Sequence, residues 1–170
     1  HEGIFYPRGS RIVFDECALA SIDDPSKGLG LSAPDQASHV RTMCERWGFK
    51  PAGVLDDACF SNQGSQSGTI AEEFRRSGVS FKRAKKGSRL NGWNTLRTLM
   101  AQAGQPDVPG LYISKSCAYV WETLPSLPRD PRNPEDLDTR AIDHAADALR
   151  YGCLQEKLVL FPGISMMPQR

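Results

Sequence analysis

The run Asp143-His144-Ala145-Ala146-Asp147 sets two carboxylates four residues apart, with an imidazole between them. On a helix, residues at that spacing share a face, so Asp143 and Asp147 stack one turn apart. Like charges so placed repel by about 0.2–0.5 kcal/mol, and a cation beside them removes the penalty. Carboxylate oxygens suit Mg²⁺ or Mn²⁺, and the imidazole of His144, three residues before Asp147, tilts the choice toward Mn²⁺. The competing reading is a solvated polar stripe on an amphipathic helix. A second acidic pair, Asp56-Asp57, follows the apolar Val54-Leu55. Open α/β sheets bind their ligands at the C-terminal ends of strands. Adjacent strand residues face opposite ways, so a regular strand offers only one of Asp56 and Asp57 as a ligand. An exposed turn after a strand is the alternative there.

Charge is distributed unevenly. Positions 75–97 carry eight Lys or Arg and no acid, whereas positions 130–147 carry six acids against Arg132 and Arg140. A chain of formal net charge +1 can thus meet an anion with one segment and a cation with another. Within the basic segment, Lys82, Arg83, Lys85, Lys86 and Arg89 surround Gly87 and precede Gly92. Cations pair with phosphate oxygens, and glycines let backbone N–H groups approach them. The alternative is a solvated basic loop. The segment is not GxxxxGK[ST], so it does not read as a nucleotide-binding loop. The five cysteines form no CxxC pair, which removes zinc-ribbon spacing and reads as reduced thiols. His1 and His39 stand alone, and Trp47, Trp93 and Trp121 read as core. Asp15 and Glu16 close an early strand, from which one could reach the acidic edge. No GxSxG elbow is present.

These residues need elements to position them. A hairpin is predicted over 3–7 and 11–17, around Pro7-Arg8-Gly9-Ser10. A helix follows from Pro34 to Trp47, capped by Ser32, with Val40, Cys44 and Trp47 on one face. A short strand over 50–57 ends in the acidic pair. Next come a helix over 69–77 closed by Gly78, a strand over 79–82, a basic loop over 85–91 and a helix over 93–102. A strand over 111–113, a helix over 117–124 and a proline-rich extended stretch over 125–134 lead to the last helix. Asp138 or Thr139 is expected to cap that helix, which runs to Gln155 with Ile142, Ala146, Leu149 and Cys153 as its apolar stripe. Alternating strands and helices after an opening hairpin predict an α/β fold, a mixed sheet covered by helices. Residues 158–170 read as a tail.

Bulk properties set the frame. A chain of 170 residues with 39% hydrophobic and 24% charged positions suits one globular domain. No apolar run approaches the roughly 20 residues a membrane helix needs, so no membrane partner is expected. The N-terminus lacks a secretory pattern.

Three segments in order resemble the C-terminal nuclease domain of phage large terminase subunits. Gly53-Val54-Leu55-Asp56-Asp57-Ala58 is similar to that family's strand ending in an acid. The stretch from Gly78-Val79 through Lys85-Lys86-Gly87-Ser88-Arg89 to Gly92-Trp93 is similar to its Gly-hydrophobic, Lys-Gly-Ser, Gly segment. Pro134 to Thr139 with Asp143 to Gly152 resembles its closing helix. The resemblance implies a ribonuclease H-like mixed β-sheet flanked by helices, covering 1–157. It implies an endonuclease that cuts double-stranded viral DNA during genome packaging with two Mg²⁺ or Mn²⁺ ions. Asp56 and Asp147 match the family's acids, His144 matches a histidine that joins the metal shell, and Asp143 is a further candidate ligand. Lys82, Arg83, Lys85, Lys86 and Arg89 would hold DNA. The implied partners are DNA, the terminase ATPase domain of a full-length chain, a small terminase subunit and a portal, in the cytoplasm of a bacterial host. One departure stands out. The family's first catalytic aspartate lies on a central strand well upstream of the Asp56 position. That strand is expected to be missing from this chain, unless an acid such as Glu16 substitutes. Two rivals remain: a resolvase- or transposase-like nuclease on the same scaffold, and a non-catalytic DNA-binding module.

Overall fold

The structure, a computed structural model, describes residues 6–62, 68–85, 87–138 and 140–155. Along the chain run β1 (Arg11–Val13), α1 (Ala33–Arg46), β2 (Ala52–Leu55), α2 (Ile70–Arg76), β3 (Ser80–Arg83), α3 (Arg89–Gln102), β4 (Leu111–Ile113), α4 (Ala118–Thr123) and α5 (His144–Cys153). The fold is α/β, and both ladders among the described residues are parallel. β1 pairs with β4, Arg11 opposite Leu111, and β2 pairs with β3, Ala52 opposite Ser80 and Leu55 opposite Arg83. A parallel pair needs a crossover, and α2 supplies it between β2 and β3. Thr69 starts α2 with a capping box: its hydroxyl accepts the Glu72 N–H at 3.2 Å, and the Glu72 carboxylate accepts the Thr69 N–H at 3.0 Å. Gly78, at φ +84°, turns the chain out of α2 into β3 as only a residue without Cβ does cheaply.

Two cores follow. Ala37, Phe74 and Val79 pack beneath the β2–β3 pair, with Leu55 and Phe81 against them. Trp93, Leu96, Leu111, Cys117, Val120, Ala146, Leu149 and Cys153 unite α3, β4, α4 and α5.

Several sequence expectations shift. The turn at 7–10 forms, with the Ser10 N–H on the Pro7 carbonyl at 3.0 Å, but residues 3–5 of the expected hairpin lie outside the described residues. The basic loop is shorter than expected. Ser88 caps α3, and Arg89 and Asn91 are already helical. The last helix starts later, at His144. Asp138 does not cap it, because its carboxylate accepts the Arg140 backbone N–H at 3.0 Å and the Arg140 guanidinium at 2.7 Å, closing a turn instead. Thr139 lies outside the described residues, as does the 158–170 tail. Trp47 and Trp121 are not core: they keep 46% and 50% of their surface, and each indole N–H finds a surface acceptor, Asp15 and the Ser114 carbonyl. No helix among the described residues is long and apolar enough to cross a membrane.

Candidate functional site

The packing of α5 on α3 joins the acidic and basic segments. Arg89, the first residue of α3, sends Nε to Asp136 Oδ1 at 2.9 Å and Nη2 to Asp143 Oδ2 at 3.3 Å, with Nη1 3.8 Å from Asp147 Oδ2. Arg150 reaches back one turn along α5 and holds Asp147 Oδ1 from Nε at 3.1 Å and Nη2 at 2.8 Å. Its side chain is only 3% exposed, so this ion pair is largely removed from water. Both guanidinium groups lie over the Trp93 ring, Arg89 at 5.3 Å and Arg150 at 5.0 Å from its centroid, and Trp93 donates its indole N–H to Asp136 at 2.8 Å. Gly92 makes the contact possible. A Cβ there would stand 2.8 Å from Arg150 Cδ. Burial alone would raise the Asp136 carboxyl. Hydrogen bonds from Arg89, the Leu137 N–H and Trp93 outweigh it and hold the group below its usual value. Burial likewise opposes the charge on Arg89, and its bonds to Asp136 and Asp143 more than restore it.

Asp56 reaches α5 from the sheet. β2 ends at Leu55, and Asp56 caps the following 3₁₀ turn by accepting the Ala58 N–H at 2.9 Å on Oδ1. Its Oδ2 accepts the Tyr151 hydroxyl at 2.6 Å. Tyr151 stands four residues after Asp147, on the same face of α5. Burial first, and then the Asp56 bond, push the Tyr151 hydroxyl up to about 12. The strand acid is thus tied to α5 through Tyr151, one turn beyond Asp147. Because Leu55 lies opposite Arg83, the exposed Lys82, Arg83 and Lys85 leave the sheet at the edge where Asp56 does. Arg83 sits over the Phe60 ring, 3.8 Å from Asp57. Lys86 lies outside the described residues.

Not every expected residue joins. His144 is exposed and lines a cavity on the neighbouring face of α5. Glu16 is committed elsewhere: its carboxylate accepts the Tyr119 N–H at 2.7 Å and the Val120 N–H at 3.1 Å, in the first turn of α4. Arg89, expected at phosphates, faces carboxylates. Asp136, Trp93, Arg150 and Tyr151 were not singled out as site residues, although all four lie in the segments that carry the resemblance. Burial raises the thiols of Cys17, Cys44, Cys117 and Cys153, which disfavours the thiolate a nucleophile needs.

Compared with known proteins, the chain matches no family model, no curated protein and no solved structure.

The donor chemistry around α5 is that of a hard divalent cation: carboxylate oxygens, with three acids against two guanidinium groups at Arg89 and Arg150. Among the described residues, no three His, Cys, Asp or Glu side chains converge as a group able to hold a metal ion. Asp143 and Asp147 are a partial set, and Arg89 now satisfies them.

Proposed function

We propose that this chain is a ribonuclease H-like nuclease domain of the phage large-terminase kind, cutting double-stranded DNA during packaging in the cytoplasm of a bacterial host. One observation carries the reading. Asp56 at the end of β2 is tied by a 2.6 Å hydrogen bond to Tyr151, which shares a face of α5 with Asp147. The three ordered sequence segments support it, since residues 89–93 interlock with residues 136–151 and both bear the resemblance. Asp56, Asp147 and Asp143 would hold two Mg²⁺ or Mn²⁺ ions, which when bound supply an activated water and neutralise charge at the phosphate, and His144 on the neighbouring face of α5 stays outside that set.

The chain's own residues prepare that site. Tyr151 fixes one oxygen of Asp56, and Arg150 fixes Oδ1 of Asp147, which leaves Oδ2 toward Arg89. Lys82, Arg83 and Lys85 would draw phosphates to the same sheet edge without reading bases, and Lys86 would add a further cation. Arg89 would release its carboxylates as cations enter and turn to the DNA. The ATPase domain, small subunit and portal are the partners this reading implies.

Nicking of supercoiled plasmid in Mn²⁺ tests it. The chain is expected to nick, and Asp56→Asn and Asp147→Asn are each expected to stop nicking while the fold survives. Normal nicking by both variants would remove these residues from the chemistry. The second reading, a DNA-binding module without cleavage, is favoured by the pairing of Asp147 with Arg89 and Arg150. It predicts metal-independent DNA binding and no nicking. Cleavage of four-way junctions in preference to linear duplex would point to a resolvase-like enzyme.

A further inference from the structure

Arg89 is held unevenly. Its Nε donates to Asp136 Oδ1 at 2.9 Å, whereas Nη2 reaches Asp143 Oδ2 at 3.3 Å and Nη1 stands 3.8 Å from Asp147 Oδ2. The first is a full charge-assisted hydrogen bond, the second is stretched, and the third is beyond hydrogen-bond range. Asp136 is itself fixed. The same Oδ1 accepts the Trp93 indole N–H at 2.8 Å and the Leu137 N–H at 2.8 Å. Its main chain is pinned as well: the Asp136 N–H bonds the Asn133 carbonyl at 2.8 Å, and the Asp136 carbonyl accepts the Asp130 N–H at 3.1 Å. The Arg89 guanidinium is thus anchored at Nε and loose at both Nη groups, and its side chain is 31% exposed. Arg150 differs, with two bonds of 3.1 and 2.8 Å to Asp147 Oδ1 from a buried side chain.

Charge sets a second condition. Three carboxylates, Asp136, Asp143 and Asp147, against Arg89 and Arg150 leave this ion-paired group one negative charge in excess. A phosphate approaching it alone meets like charge. A divalent cation approaching it alone meets the Arg89 guanidinium, and on binding turns the excess into one positive charge. A phosphate then cancels that charge.

We propose that Asp136 is a positioning residue that anchors Arg89 as a resident counter-ion, whose Nη groups exchange Asp143 and Asp147 for a DNA phosphate as a divalent cation binds. Cation and DNA therefore bind weakly apart and tightly together. Turning the guanidinium about its Nε–Asp136 bond moves both Nη groups while the anchor holds. A lysine could not do this, because one point charge has no second donor to keep the anchor. The coupling is reciprocal: the factor by which the cation tightens DNA binding equals the factor by which DNA tightens cation binding. The inference rests on the nuclease reading for its site and adds the regulation of that site.

The test measures Mn²⁺ binding to the chain alone by electron paramagnetic resonance. It also measures the anisotropy of a short fluorescein-labelled DNA duplex in EDTA and in Mn²⁺. Divalent salt ordinarily loosens protein–DNA contacts by competing for phosphates, so tightening is the specific sign. Mn²⁺ is expected to tighten duplex binding by the parent chain about tenfold. Arg89→Met is expected to bind Mn²⁺ about tenfold tighter than the parent without DNA, and to lose the tightening of duplex binding. Asp136→Asn is expected to bind Mn²⁺ about fivefold more weakly, because the excess negative charge is gone while Arg89 remains. Simple loss of the Arg89–Asp136 pair would move Mn²⁺ binding the same way in both variants, and that result would overturn the proposal. So would duplex binding by the parent chain that is no tighter in Mn²⁺ than in EDTA, a readout that needs no variant to fold. Coupling without nicking would uphold the exchange and defeat the cleavage reading alone. Nicking without coupling would do the reverse.

Discussion

The α3–α5 contact and the cavity between β1 and β2 use polar groups in opposite ways. At the first, Asp136, Asp143 and Asp147 are met by Arg89 and Arg150, and Trp93 packs against both guanidinium groups while bonding Asp136. At the second, among the described residues, the outer edges of β1 and β2 have no strand partner and the Arg11 Nε has no acceptor, beside a cavity lined largely by apolar side chains. α5 separates the two regions, with Asp147 on one side and Ala148 and Gly152 on the other. A satisfied network fixes geometry because removing any member strands the others. An unsatisfied surface costs free energy until something binds it. Mutations at the first region should therefore act on stability, and those at the second on association.

The largest expected effect is at Asp147. Asp147→Ala leaves the buried Arg150 without a partner and should cost about 3–5 kcal/mol of unfolding free energy, measured in urea. Alanine is for that reason a poor catalytic probe here, and asparagine is the better one. A loss under 1 kcal/mol would show that the contact is not the rigid half of the comparison. Asp136→Asn should cost about 1.5–3 kcal/mol at neutral pH, since charge-assisted bonds from Arg89 weaken. The Asp136 carboxyl is held below 3.8 in the folded chain. Its contribution is thus complete above that pH and is lost as pH falls through the lower folded value. The stability gap between variant and parent should close in that acid window, and a gap constant with pH would deny the charge its role. Gly92→Ala should cost about 1–3 kcal/mol, because a Cβ 2.8 Å from Arg150 Cδ displaces a pinned side chain. The smallest effect belongs to the cavity. Ala148→Val should change stability by no more than about 0.5 kcal/mol. A large loss there would mean that the space is already filled.

Much of the local architecture could be read from residue types. Ser32 caps the helix it was expected to cap, Gly78 ends α2, and the alternation of strands and helices gives an α/β fold, while Thr69, read as helical, proves to be the cap of α2. Spacing also put Asp143 and Asp147 on one helix face. It could not show that Arg89, fifty-four residues before Asp143 in sequence, would neutralise them, because that contact depends on how α3 packs on α5. Tyr151 was hidden for the same reason: a tyrosine after an arginine in a helix has no marked role until a strand end arrives beside it. Glu16 misled in the other direction. An acid after a strand suggested the catalytic edge, and the first turn of α4 claimed it.

Trp93 has a practical use beyond packing. Of the three tryptophans it alone is shielded, 2% exposed, while Trp47 and Trp121 are half open to solvent. Iodide or acrylamide should dim the outer two first, so the remaining emission comes from an indole packed against two arginines and tied to Asp136. That residual light is an intrinsic gauge of the α3–α5 seam, readable in the unlabelled chain as cations, DNA or denaturant are added.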